Sequence, residues 1–411
     1  MAERTRVALI GYGVRGTCHL QMVLALQDRF DLAAVCEAQH ARLADALSAA
    51  GPSTRGETNL DSLIRGAGFD FAIVATRQDA SARILPALLE AGFSALVEVP
   101  PAYELPAIRR MIELAGQRGL VLASAENYVR TPIERLKQQL VAQGVFGRIE
   151  RAEIHGSIGH KGHEMSLARS YLGVDAVPVR ARAEGEGPLR RTSGEGIPIP
   201  KKLSGEVEFD TGGIARFELS LPVRAHGSAE LRSDFSGTRG GFRSGSFYVR
   251  EEDGSERKIA PEFHAEDRDG EAVLQEVVFP HTTPVSWKNP YAGHSFPRAS
   301  AREYHSLLDP SPQAWEIAVA DMYDDTAAAV RDGLAPEYPV AQSLIDVRIR
   351  LALLESTRRD GSWVAWDQAR FGIERELARA RPLRWLGMRP VLYRPLSAVA
   401  RAILPGMRKD S

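Results

Sequence analysis

A chain of 411 residues exceeds what one compact core ordinarily holds, and its formal net charge of -1 gives no global field for nucleic acid. Its two cysteines, Cys18 and Cys36, show no metal-ligand spacing and read as small buried apolar residues of a reduced compartment. No run reaches the roughly 18 apolar residues of a membrane span, and nothing at the start resembles a signal peptide, so the cytoplasm is the expected compartment.

The first predicted strand is the apolar run Val7-Ala8-Leu9-Ile10. Gly11-Tyr12-Gly13-Val14-Arg15-Gly16 follows it and opens a helix over Thr17 to Leu26. Strand, glycine turn and helix in this order form a dinucleotide site, in which the turn admits the pyrophosphate and the helix N-terminus faces it. The next strand, Asp31 to Glu37, ends in an acid at the required distance of about 20 residues from the glycines. Glu37 can accept both hydroxyls of an adenosine ribose and would repel a 2′-phosphate, which puts NAD ahead of NADP. The plainer alternative is a solvated acid at a strand end. Strand Asp70–Thr76, helix Ser81–Ala91, strand Ala95–Glu98, helix Glu104–Gln117 and strand Leu120–Ala123 continue the βαβ rhythm. The expected fold is α/β, with a doubly wound parallel sheet over residues 1–125. Ala75, Thr76, Glu98 and Asn127 lie at or past strand ends, so they are expected to line one crevice and contact the cofactor. Tyr128 is expected beside them, although Glu126-Asn127-Tyr128 equally reads as a helix-entry turn.

Beyond residue 125 the texture changes. A helix over Pro132–Gln143, closed by Gly144, precedes strands 147–155, 180–184, 205–209 and 214–219. Asp210-Thr-Gly-Gly213 joins the last two, and Asp253-Gly254 joins strands 247–250 and 256–259. A mainly antiparallel, open sheet is expected over residues 126–370, with one face available to a second copy of the chain in a homo-oligomer. Residues 184–200 are predicted to be a loop. Helices are predicted over Trp315–Arg331 and Ala341–Ser356. Trp287 and Asn289, near Tyr291 and His294, have the stacking and polar groups of a sugar site, or of an ordinary packing corner. The extension 371–411 carries nine Lys or Arg against three acids, interleaved with Leu383, Trp385, Leu386, Leu392, Tyr393, Leu396 and Ile403. Pro382, Pro390, Pro395 and Pro405 are expected to break any long helix there. Packing on the parent domain or a second subunit is expected, with an anionic membrane surface as the alternative.

The glycine turn, the acid after the second strand, Ala75-Thr76, Val97-Glu98-Val99-Pro100, Gly144-Val-Phe-Gly-Arg-Ile149 and the late Tyr338 with Glu355-Ser356-Thr357 together resemble the glucose–fructose oxidoreductase and inositol dehydrogenase (Gfo/Idh/MocA) family. The likeness runs over roughly residues 5–365 and is strongest in the first domain. It implies a Rossmann domain, a second α/β domain with an open sheet, and NAD(P)-dependent hydride transfer on a sugar, cyclitol or related polyol. The departures are specific. Typical members have Glu-Lys-Pro where this chain has Glu98-Val99-Pro100, and an Asp four residues before the catalytic His, where Gly159 stands. His163 matches that catalytic His. Lys161 could then replace the missing lysine as stabiliser of a developing alkoxide, with His160 on the same helical face as His163. A polar capping loop is the alternative, and His-x-x-His without a third ligand gives no metal site. Ala125-Glu126-Asn127-Tyr128, together with the missing lysine, is also similar to the NAD-dependent α-N-acetylgalactosaminidase branch. There a retained NAD drives a redox-neutral oxidation, elimination, hydration and reduction. A cofactor-binding protein without catalysis is the third possibility.

Overall fold

The first strand forms where the chain is most apolar. In the computed structural model, which describes residues 4–159, 162–187, 189–191, 197–221, 231–296, 309–368 and 370–385, Val7 to Ile10 are all buried in β1 (Thr5–Ile10). Five further strands, β2 (Phe30–Cys36), β3 (Arg55–Glu57), β4 (Phe71–Val74), β5 (Ser94–Val97) and β6 (Leu122–Ser124), complete a parallel sheet in the order β3-β2-β1-β4-β5-β6. Helices cover both faces: α1 (Val14–Ala25), α2 (His40–Ala50), α3 (Leu60–Gly66), α4 (Gln78–Glu90) and α5 (Leu105–Arg118). That double cover is why β4 and β5 read as unbroken buried runs rather than alternating ones. The strand order reverses between β1 and β4, which puts a crevice at the carboxyl ends there. Gly11 has φ +93, and a Cβ on Gly16 would lie 2.0 Å from the Gly11 carbonyl oxygen, so only glycine lets α1 seat this closely on β1.

A short 3-10 turn, Tyr128–Arg130, and α6 (Pro132–Ala142) lead into the second domain. The strands follow as β7 (Ile149–Ser157), β8 (Pro178–Glu186), β9 (Arg190–Arg191), β10 (Pro198–Ile199), β11 (Lys202–Phe209), β12 (Ile214–Ser220), β13 (Arg232–Gly237), β14 (Gly240–Arg243), β15 (Ser246–Arg250) and β16 (Glu256–Ile259). The hairpin β17 (Glu262–Arg268) and β18 (Glu271–Phe279) pairs with β19 (Val285–Lys288), and β20 (Val364–Ala365) comes last. Nine of these form one sheet, β16-β15-β14-β13-β7-β12-β11-β8-β20, antiparallel except between β7 and β12. The predicted loop over 184–200 is corrected at both ends. Strand β8 runs on to Glu186, held by its register with β11, and β9 pairs with β10.

One face of the large sheet takes α7 (His163–Leu172) and α9 (Val340–Thr357). The other carries cross-strand ion pairs, Arg180–Glu208, Arg182–Glu206 and Arg216–Glu206. Helix α8 (Ala314–Asp332) and α9 return to the first domain, where the Tyr338 carbonyl accepts the Ser124 N–H at 2.9 Å. Helix α10 (Gly372–Trp385) passes through Pro382, against the expected break. Buried Ile373 and Leu377 and the Arg358–Glu376 pair anchor it, and Pro382 falls only in its last turn. The remaining tail, 386–411, lies outside the described residues. Among the described residues no helix is long and apolar enough to cross a membrane.

Candidate active site

Three strand ends supply the site. At the end of β2, the Glu37 carboxylate accepts the Tyr12 N–H at 2.8 Å and the Gln39 N–H at 2.9 Å, so the glycine turn and the ribose acid are tied together. At the end of β5, Glu98 accepts from Arg15 Nε at 2.8 Å and lies 2.7 Å from His19 Nε2. His19 Nδ1 meets the Tyr323 hydroxyl at 2.5 Å, and the Arg15 guanidinium stacks 5.3 Å from the Trp315 ring centroid. Arg15 and His19 share one face of α1, and Trp315 and Tyr323 share one face of α8. The network therefore joins the helix behind the glycine turn to the second domain.

Protonation follows from these contacts. Burial alone would raise the Glu98 pKa, but Arg15 and His19 override it and hold the carboxyl well below its usual range. Burial pushes the His19 imidazole down despite Glu98, so His19 is neutral, donating from Nε2 to Glu98 and accepting at Nδ1 from Tyr323.

At the end of β6 the chemistry differs. Buried Glu126 lies 2.8 Å from His163 Nδ1 through either oxygen, and the Tyr128 ring stacks on the imidazole at 4.0 Å and 11°. Burial works to lower the His163 pKa, but the Glu126 carboxylate outweighs it, helped by Glu164 and Glu98, and the pKa rises above its ordinary value. Burial, then Glu164 and Glu126, push the Tyr128 phenol far up, so it stays neutral. Behind them, Asp346 of α9 pairs with Arg169 of α7 at 2.9 Å and accepts the Tyr338 hydroxyl at 2.5 Å. Burial pushes the Asp346 carboxyl up to about 6. Tyr338 therefore braces the helix pair behind the site.

The sequence expectations separate cleanly. Gly11, Tyr12, Gly13, Val14, Arg15, Gly16, Ala75, Thr76 and Asn127 sit at the turn and the strand ends. Helix α7 opens at His163 behind Gly162, and the helical face expected to join His160 to His163 reaches beyond the described residues. His160 and Lys161 themselves lie outside the described residues. Trp287 and Asn289 are carried elsewhere. The Asn289 amide donates to the Leu274 carbonyl, while Tyr291 and His294 bond Asp324 and Asp28 at the edge where the parallel strands begin. That loop is a packing corner. Glu126, His19, Trp315 and Tyr323 were not expected as partners; Glu126 had been noted only within a turn and within the Ala125–Tyr128 motif.

Residues 5–126 match the model of the GFO_IDH_MocA oxidoreductase family, NAD-binding Rossmann fold. The match covers the first domain. Solved structures extend the likeness over both domains. Levoglucosan dehydrogenase in complex with NADH and levoglucosan superposes with a TM-score of 0.67 at 18% identity, over 89% of this chain and 100% of its own. An inositol dehydrogenase homologue from Azotobacter vinelandii, complexed with NAD+, gives 0.65 at 16% identity, over 89% and 98%. An oxidoreductase from Agrobacterium radiobacter, in complex with NAD+, L-tartaric acid and magnesium, gives 0.64 at 16%, over 88% and 98%. At these identities the likeness is one of fold. No curated protein matches the chain. The residues present suit the family's dinucleotide: a Cβ on Gly13 would meet nothing within 4 Å, leaving room above the turn, and the buried Asn127 Nδ2 has no hydrogen-bond partner among the described residues.

Proposed function

We propose that the protein is an NAD-dependent oxidoreductase that exchanges hydride with a secondary carbinol of a sugar, cyclitol or related polyol, with His163 as acid and base. The observation that carries this reading is the His163–Glu126 pair at the end of β6, beside Asn127. Bound NAD supplies the hydride acceptor. The glycine turn and α1 hold its pyrophosphate, Glu37 its adenosine ribose, and Asn127 the nicotinamide end, which falls across the switch point from β2. With Glu37 at the ribose, NAD is preferred over NADP. Glu126 fixes Nδ1 and directs proton exchange to Nε2, while Tyr128 holds the ring plane. In oxidation His163 takes the hydroxyl proton; in reduction it returns one to the carbonyl oxygen. The open Arg/Glu face of the large sheet, self-complementary in charge, supports pairing with a second copy, which light scattering of the purified protein tests.

A polyol and sugar panel tests the activity. Net NADH formation that disappears in His163→Ala supports the reading. Release of an aglycone without net NADH favours the redox-neutral alternative, and unchanged turnover in His163→Ala sinks both.

A further inference from the structure

The Arg15–Glu98 pair lies where no family lysine can act, since Val99 is apolar, and it is placed to act on the cofactor instead. Glu98 ends β5, on the nicotinamide side of the switch point, and Arg15 stands in the first turn of α1, next to the pyrophosphate site. The Glu98 and Arg15 side chains are 13% and 32% exposed, and both residues stand at the carboxyl-end side of the parallel sheet, where the strand order reverses. The ring of NAD+ carries a positive charge that NADH lacks. A carboxylate near it favours the oxidised form and a guanidinium favours the reduced form.

We propose that the Arg15–Glu98 ion pair, with its geometry held by His19, Tyr323 and Trp315, sets the relative affinity of this site for NAD+ and NADH. The inference rests on the NAD-binding reading above. Arg15 and Glu98 act as positioning residues for charge: each cancels the other's field at the ring. The second-domain helix α8 fixes both, His19 through Tyr323 and Arg15 through Trp315. The two dinucleotide forms have the same pyrophosphate, so any contribution of Arg15 to phosphate binding cancels in the ratio of the two dissociation constants.

Calorimetric titration of the full chain with NAD+ and with NADH tests this. It is done at about pH 9, above the range in which an imidazole normally takes a proton, so that His19 cannot replace a lost charge. Glu98→Gln is expected to shift the ratio of dissociation constants about tenfold towards NADH, and Arg15→Met about tenfold towards NAD+. Combining the two changes should return the ratio to the wild-type value, and Arg15→Lys should keep it there. Should Arg15→Met fail to fold, Glu98→Gln and Arg15→Lys still decide the matter. Opposite shifts are not expected of a purely structural pair. Ratios within twofold of wild type in all folded variants, or shifts of the same sign, overturn the proposal. A wild-type protein that binds neither dinucleotide overturns the functional reading instead.

Discussion

Two glutamate–histidine pairs stand at neighbouring strand ends, and the pKa values of their histidines move in opposite directions. Glu98 at β5 also holds Arg15, and burial, with Arg15 adding to it, keeps its histidine, His19, neutral as a wedge between carboxylate and phenol. Glu126 at β6 is met by His163 itself, and its carboxylate raises the His163 pKa against the effect of burial. The same two residue types thus form a fixed strut in one case and, in the proposed mechanism, a proton carrier in the other. Burial lowers both imidazoles; at His19 it prevails, with a smaller contribution from Arg15, and at His163 the Glu126 carboxylate outweighs it. A buried histidine near an acid is therefore a candidate acid/base only when the carboxylate outweighs burial.

The comparison breaks most severely at Glu126. Glu126→Gln should lower kcat for the proposed hydride transfer by roughly a hundredfold, because proton transfer by a positioned side chain is worth about that much. Steady-state kinetics on any substrate found in the panel reads it. A similar loss in Glu98→Gln would erase the distinction.

The pH dependence carries the next effect. His163 has a raised pKa, so oxidation, which needs the neutral ring, should increase as pH rises through that value, whereas reduction should persist up to it and then fall. Glu126→Gln should move both profiles to lower pH. The linked stability has the same sign: it is fully present below the free imidazole value and is lost as pH rises through the folded value.

Much of the first pair's neighbourhood was legible and most of the pairing was not. Strand β1, the glycine turn and Glu37 lie within one βαβ unit, where apolar runs and spacing fix the outcome locally. His163 stood out by resemblance. Its partner Glu126 is 37 residues away, Glu98 is 83 residues from Arg15, and Tyr323 is 304 residues from His19. Contacts at such separations follow from sheet order and from the return of α8 onto α1, which no local pattern encodes. Trp287 and Asn289 show the same limit: their composition suits a sugar site, but the fold sets Trp287 in the separate β17-β18-β19 sheet and the Asn289 amide on the Leu274 carbonyl. Helix α10 ran through Pro382 because packing of Ile373 and Leu377 outweighed a local breaker.

Smaller effects sharpen the picture. Asn127→Asp, which removes the orphaned donor beside the nicotinamide end, should weaken NAD about tenfold, read by the same calorimetry. Tyr323→Phe removes only the hydroxyl that His19 accepts from, and should cost about 1 kcal/mol of stability in a denaturant titration with little change in turnover.

The most direct measurement is a titration of the imidazole nitrogens of the full chain by NMR, with His19 and His163 assigned through His19→Asn and His163→Asn. The account predicts that His163 titrates above the free imidazole value with Nδ1 always protonated. It predicts that His19 stays neutral throughout and begins to titrate in Arg15→Met. An ordinary titration of His19 in the wild type, or a His163 that titrates below the free value, would contradict it.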